Sequence, residues 1–226
     1  MKNFTKTLFI LLISFGSIEA NAKAYFDDEV IAPTIIDQPL KSQSKEWKEE
    51  INYIIFLQKN PDQKEIKKAE TEYNVKPELV TSINPKLTRE SFPKLYKLLD
   101  NVQDTSLGVC DNVKDYWGTT RPYLADRRIK SLILNHKSHA YPSGHTTSSY
   151  VFAYVLGQLI PEDRQKFLTR ASEIANHRVL VGMHYPDDIK GGKQLALLIT
   201  GALFENPDFQ KDFLAAKKEL GKEFKN

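Results

Sequence analysis

Apolar positions recur at helical spacing along most of the chain, and no stretch alternates in the manner of a half-buried strand. Trp47, Ile51, Ile54 and Ile55 share one face, Phe56 and Leu57 widen it, and Asn60-Pro61-Asp62 ends the run, which predicts a helix from Lys45. A polar helix is expected over residues 63–73 and a short one opening near Pro77, a residue suited to a first helical turn. Phe92, Leu95, Leu98, Leu99 and Val102 mark the next apolar face. Leu107, Val109, Val113, Tyr116 and Trp117 continue its spacing, and Gly108 suggests a break, so two packed helices ending at Gly118 are expected. Three more follow over residues 143–159, 162–176 and 186–204, with Pro161 stopping the first and Gly191-Gly192 a weak point in the last. The tail over residues 208–224 sets Phe209, Phe213, Leu214, Leu220 and Phe224 against many lysines. It reads as an amphipathic helix docked on its own domain, with contact to a membrane surface left open.

The pattern therefore predicts an all-α protein, and what precedes the helices divides into two parts. Lys2 and Lys6 stand before an apolar run of 11 residues, 8–18, and Ala20-Asn21-Ala22 offers a small-residue cleavage site. Residues 1–22 are accordingly expected to be a signal peptide, too short to span a bilayer, which needs about 20 apolar residues. A periplasmic or secreted location follows from this expectation. Residues 23–45, with Pro33 and Pro39 and no sustained period, are expected to form an extended arm over a single helical domain spanning residues 46–226.

Charge and cysteine content narrow the function classes. Removing Lys2, Lys6 and Glu19 with the leader takes the formal charge from +3 to +2, too weak a balance to argue for nucleic acid as a specific partner. The apolar segment before Glu205 is short and bounded by Lys193, so no transmembrane span is expected in the mature chain. Cys110 is the single cysteine, which excludes an internal disulfide. No histidine lies near it in sequence, so it reads as a buried thiol rather than a nucleophile.

Three clusters carry candidate chemistry. In KDYWGTTRP, residues 114–122, a lysine near a helix end and an arginine beyond Gly118 could converge on one anion, Lys114 as a compact charge and Arg121 as a planar fork. Alone, the pair is also what a helix C-terminus and solvent would favour. In PSGH, Ser143 is a good N-cap, which by itself explains the motif. Gly144 would also let an anion approach the unpaired N–H groups of the helix start, with His145 beside it as a proton donor or acceptor. In HRVLVGMHYPDD, residues 177–188, Pro186 places His184 just ahead of a helix and Asp188 inside it, where the carboxylate could fix the imidazole tautomer; Arg178 adds a third cation. A core histidine with a capping aspartate remains an equal account of that pair. Together, three cations, a glycine-opened helix start and two histidines suit phosphoryl transfer without a metal or other cofactor. The five histidines fall between His136 and His184, yet HKSH is no metal-binding HExxH and no second cysteine is present, so no metal site is expected.

Lys114 with six residues before Arg121-Pro122, then Pro142-Ser143-Gly144-His145, then Arg178 with five residues before His184 and three before Asp188, resembles the three-part signature of the type 2 phosphatidic acid phosphatase superfamily. That superfamily includes membrane lipid phosphatases, soluble bacterial class A acid phosphatases and vanadium-dependent haloperoxidases; an exported chain of this size looks most like the acid phosphatases. The resemblance implies a single-domain helical bundle and a phosphomonoesterase acting on a small phosphorylated substrate. It also implies that His184 is the nucleophile, Asp188 its orienting partner and His145 the general acid and base. Lys114, Arg121, Ser143, Gly144 and Arg178 would hold the phosphate oxygens. One departure stands out: the superfamily usually has serine before the third-part arginine, and this chain has His177, expected to alter how an Arg178 loop is held or to add a titrating group beside the pocket.

The alternatives at this stage are a periplasmic lipid phosphate or pyrophosphate phosphatase, a vanadate-dependent peroxidase and a non-catalytic phosphate-binding module. The missing set of spans disfavours the first, the short chain the second, and the presence of both histidines with Asp188 the third. The sequence places leaving-group determinants in residues 124–140 and the N-terminal arm. It leaves the physiological substrate, the pH optimum and a homo-oligomer open.

Overall fold

A computed structural model describes residues 22–134 and 137–223. The expected leader short of Ala22, His136 and Phe224 lie outside the described residues. The order of helices is α1 (Lys45–Leu57), α2 (Gln63–Thr71), α3 (Leu79–Ile83), α4 (Pro93–Trp117), α5 (Pro122–Ala125), α6 (Gly144–Leu159), α7 (Arg164–Leu180), α8 (Pro186–Glu205) and α9 (Pro207–Glu223). Among the described residues there is no strand, and no helix is long and apolar enough to cross a membrane.

The bundle is built around α6, which packs against α7, α8 and α4, while α9 packs chiefly on α4 and also meets α8 and α6. A central helix must be acceptable to neighbours on every side. Accordingly, the buried residues of α6 run from Thr146 to Leu159, with Thr146, Thr147, Ser148 and Ser149 in its first half and Val151, Phe152, Val155 and Leu156 in its second. Three hydroxyls of the first half bond at the start of the helix, Thr146 Oγ1 with Ser143 Oγ at 3.0 Å, Thr147 Oγ1 donating to Ser143 O at 3.0 Å and Ser149 Oγ to Thr146 O at 3.2 Å. Phe209, Ala216 and Leu220 bury the inner face of α9.

Residues 22–44 cross the surface of this bundle with two short 3-10 turns, Asp28–Val30 and Pro33–Ile35. Main-chain N–H groups hold the crossing: Lys23 donates to Asn101 Oδ1 and Tyr25 to Thr105 Oγ1, each at 2.9 Å, and Leu40 donates to Asp187 Oδ2 at 2.9 Å.

Three expectations need correction. Residues 93–117 form one helix, not two; Gly108 lies inside α4 because Asp28 of the crossing segment rests against it, where a Cβ would collide with the Asp28 carboxylate. The glycine marks close approach rather than a break. Likewise Gly191 and Gly192 leave α8 unbroken; they admit the Tyr141 ring and the Ser143 carbonyl. Finally, α7 runs on to Leu180, so Arg178 sits in a helical turn and not a loop, with Gly182 at φ 75° turning the chain toward α8.

Two glycines of α8 make opposite predictions for the same substitution. Gly191→Ala drives a methyl into the buried Tyr141 ring and should destabilise the protein by about 1–3 kcal/mol through overpacking. Gly201, exposed with nothing near its absent Cβ, should gain about 0.5–1 kcal/mol on replacement by alanine. Urea unfolding of the two variants checks both signs.

Candidate active site

Helix ends build the site. Gly118, left-handed at φ 59°, stops α4 four residues after Lys114, and its N–H bonds the Lys114 carbonyl at 2.9 Å. Lys114 is buried, and its ammonium donates to three carbonyls, His139 at 2.8 Å, Ala140 at 3.1 Å and Pro142 at 2.6 Å. Arg121, immediately before α5, is also buried. Its guanidinium bonds Ser138 O at 2.8 Å, Ser138 Oγ at 3.1 Å, His139 O at 3.2 Å and Met183 O at 3.0 Å. Both cations therefore brace the segment that leads into Pro142-Ser143-Gly144-His145.

Ser143 caps α6, its Oγ accepting from the Thr146 N–H at 3.3 Å and the Thr146 hydroxyl at 3.0 Å. Its own N–H donates to Asp188 O at 3.0 Å, which ties the start of α6 to the first turn of α8. In that turn Asp188 Oδ2 accepts the Tyr185 N–H at 2.9 Å and faces His184 Nδ1 at 3.0 Å. The other ring nitrogen, Nε2, faces Arg121 NH1 at 3.1 Å. A carboxylate on Nδ1 and an obligate donor on Nε2 both require the tautomer with its proton on Nδ1, so Nε2 carries the lone pair.

Electrostatics keep that lone pair available. Burial, then the charges of Arg121, Lys114, His145 and Arg178, hold the His184 imidazole well below its ordinary pKa. Burial pushes the Asp188 carboxyl up, opposed by the Tyr185 N–H and the charge of Lys114. Burial also lowers Lys114 and Arg121, and brings Arg178 down to about 10.

Lys114, Arg121, Gly144, His145 and His184 line one cleft of about 370 Å³. Ser143, Asp188 and Arg178 stand behind its surface: Ser143 as the cap, Asp188 behind the imidazole, and Arg178 fully buried with NH2 on Ala69 O at 2.7 Å and Glu72 Oε2 at 3.3 Å. Two donors of Arg178, Nε and NH1, have no hydrogen-bond partner among the described residues. A larger hollow of about 710 Å³, between Lys23 and Asp212, holds none of these residues. Among the described residues no group of His, Cys, Asp and Glu is placed to hold a metal ion. Cys110 is buried and its thiol is pushed up by that burial.

This arrangement can be set beside known proteins. The sequence pattern of the PAP2 superfamily matches residues 105–211. The likeness to that superfamily therefore lies in the part of the chain that holds all the clustered residues of the cleft from Lys114 to His184. A protein of Providencia stuartii named non-specific acid phosphatase is 31% identical over 141 residues, which cover 60% of this chain and 57% of that one. Proteins named acid phosphatase in Zymomonas mobilis and non-specific acid phosphatase in Salmonella typhi are each 31% identical, covering 58% and 64% of this chain and 51% and 58% of theirs. The chain thus spans little more than half the length of these relatives. In three dimensions it resembles a solved structure described as the first bacterial vanadium-dependent iodoperoxidase, with a TM-score of 0.60 at 17% identity over 76% of this chain and 52% of that one, a likeness of fold.

Part of the cleft wall comes from outside the PAP2 match. Tyr73, Asn74, Val75 and Lys76, between α2 and α3, line it together with Gln103, Leu107 and Asp111 of α4, and Gln103 Nε2 donates to Val75 O at 2.9 Å. Among the described residues, none of the N-terminal segment lines it and of residues 124–140 only Ser138 does, whereas the leaving-group determinants were expected in those two stretches. His145 Nε2 faces the carbonyls of Glu72 and Tyr73, each at 2.9 Å. Two acceptors there require the proton on Nε2.

Glu72 and Glu65, on or just beyond a polar helix with no motif, escaped the sequence reading. Both grip His177, whose Nδ1 is 2.8 Å from Glu72 Oε2 and whose Nε2 is 2.6 Å from Glu65 Oε2. His177 stands behind the cleft rather than beside it. Burial pulls its pKa down, but Glu72 and then Glu65 more than offset this and hold it above the ordinary imidazole range. Glu72 shows the converse: burial would raise it, yet His177, Arg170 and Arg178 hold it below the usual carboxylate range.

The His177 proton should therefore stabilise the fold fully below the ordinary imidazole pKa, with that contribution lost as pH rises through the raised value. The two carboxylates contribute above their ordinary range and lose their share as pH falls. In thermal unfolding from about pH 5 to about pH 9, the stability difference between the wild type and His177→Gln should shrink on the alkaline side.

Proposed function

We propose that the chain is a phosphomonoesterase that works through a phosphohistidine on His184. The observation that carries this reading is the double hold on His184, Asp188 on Nδ1 and Arg121 on Nε2, which leaves a neutral imidazole with its lone pair in a cleft of cations. The names of the curated relatives support the same class of activity.

In the proposed reaction, the oxygens of a phosphoryl group replace His184 as acceptor for Arg121 and take up donors of Arg178 and the N–H groups at the start of α6. The Nε2 lone pair attacks phosphorus, the bond to the leaving oxygen breaks, and His145 gives that oxygen a proton. Because the Glu72 and Tyr73 carbonyls hold a proton on His145 Nε2, Nδ1 is the nitrogen that exchanges one. Water then attacks phosphorus, His145 takes its proton, and the P–N bond breaks with its electrons returning to His184. Asp188 stabilises the charge that the His184 ring acquires on phosphorylation. Lys114 braces the segment before Pro142 and adds positive field.

Beyond the phosphate, Tyr73, Asn74, Lys76, Gln103 and Asp111 line the cleft beside apolar Val75 and Leu107, and these polar groups offer contacts to a hydrophilic leaving group. The reading includes export, supported by Lys2 and Lys6 before the apolar run 8–18 and the small residues that follow it.

His184→Ala should lower kcat for a simple aryl phosphate at least about a thousandfold. Wild-type protein quenched during turnover should carry a phosphoryl group stable to base and lost in acid, and a chelator should leave turnover unchanged. Full activity in His184→Ala would refute the mechanism.

A further inference from the structure

The turn that ends α2 touches two parts of the site at once. Through its main chain, the carbonyls of Glu72 and Tyr73 hold the His145 ring. Through its side chain, Glu72, only 5% exposed, meets three cationic groups: Arg170 NH2 at 2.7 Å, His177 Nδ1 at 2.8 Å and Arg178 NH2 at 3.3 Å. Arg178 otherwise has one acceptor, Ala69 O, also on α2. A fully buried guanidinium with two unpartnered donors needs a fixed orientation if those donors are to serve an anion, and α2 supplies both contacts that fix it. Glu72 is itself fixed from behind by Arg170 and by His177, which Glu65 grips from the other side.

We propose that Glu72 is a positioning residue of the phosphate site, orienting Arg178 through its carboxylate and His145 through its main chain, and that His177 clamps Glu72 in that role. This rests on the phosphatase reading for its purpose, though not for its test. It also gives His177 a function at the position where serine would be expected: an imidazole reaches two carboxylates at once, one through each nitrogen, and a hydroxymethyl group could not span them.

Inorganic phosphate binding, measured by titration calorimetry, reads the proposal directly, while turnover of p-nitrophenyl phosphate by the wild type reads the phosphatase assignment separately. Glu72→Gln keeps the shape and removes the charge, and should weaken phosphate binding roughly tenfold. Because the loss acts through Arg178, the same substitution in an Arg178→Gln background should weaken binding less than about twofold. A residue that serves only the fold would give equal losses in both backgrounds. Where Arg178→Gln does not fold, His177→Gln decides, since it leaves Glu72 and Arg178 in place: weaker phosphate binding supports the clamp. Unchanged or tighter binding in Glu72→Gln, equal losses in the two backgrounds, or unchanged binding in His177→Gln would overturn the proposal.

Discussion

Lys114, Arg121 and Arg178 are taken out of water around a single imidazole, and cations brought together in that way repel one another and lose hydration that several kcal/mol per ion would ordinarily protect. The protein meets this chiefly with main-chain carbonyls rather than carboxylates. His139, Ala140 and Pro142 surround Lys114, and Ser138, His139 and Met183 surround Arg121. Neutral acceptors satisfy the donors without cancelling the charge, so the positive field survives at His184. The segment 137–142 is folded by the same bonds, which is how the demands of two cations position the start of α6.

Arg178 is treated differently. It stands at the end of α7, where a cation complements the helix dipole, and a carboxylate reaches it from α2. The starts of α6 and α8 approach each other through the bond from Ser143 N–H to Asp188 O, so two helix N-termini and three cations share one small region. Such a concentration of positive potential with few counter-charges is unfavourable by itself and favourable around an anion. The fold pays for it with the packing of α6 against α4, α7 and α8.

Most of the helical architecture was legible in the sequence because it follows from local spacing: the apolar faces of α1 and α4 read directly, as did the N-cap at Ser143 and the placement of His184 before Pro186. The errors share a cause. Gly108, Gly191 and Gly192 look like weak points in a one-dimensional pattern, whereas each admits a distant group, Asp28, Tyr141 or Ser143, whose approach no local signal announces. Glu72 was illegible for the same reason. It lies in a polar stretch with the composition of a solvated face, and only the docking of α2 on α7 turns it toward Arg178 and His177. His177 was visible as a departure, but its partners 105 and 112 residues away were not.

The hydrogen-bond inventory also orders the events in the proposed reaction. All three N–H groups of Lys114 are occupied by carbonyls, so an incoming phosphate could use that ammonium only by displacing a bond that holds the segment before Pro142. Nε and NH1 of Arg178 have no partner among the described residues, so an anion that reaches them displaces none of these. Arg121 falls between the two cases, because its NH1 bonds both Met183 O and the His184 lone pair. A phosphate oxygen that takes the place of His184 on this donor leaves Nε2 unbonded beside phosphorus. In the proposed reaction, binding and activation of the nucleophile would then be one exchange of partners, with the His184 lone pair bonded to Arg121 until the group it attacks has arrived.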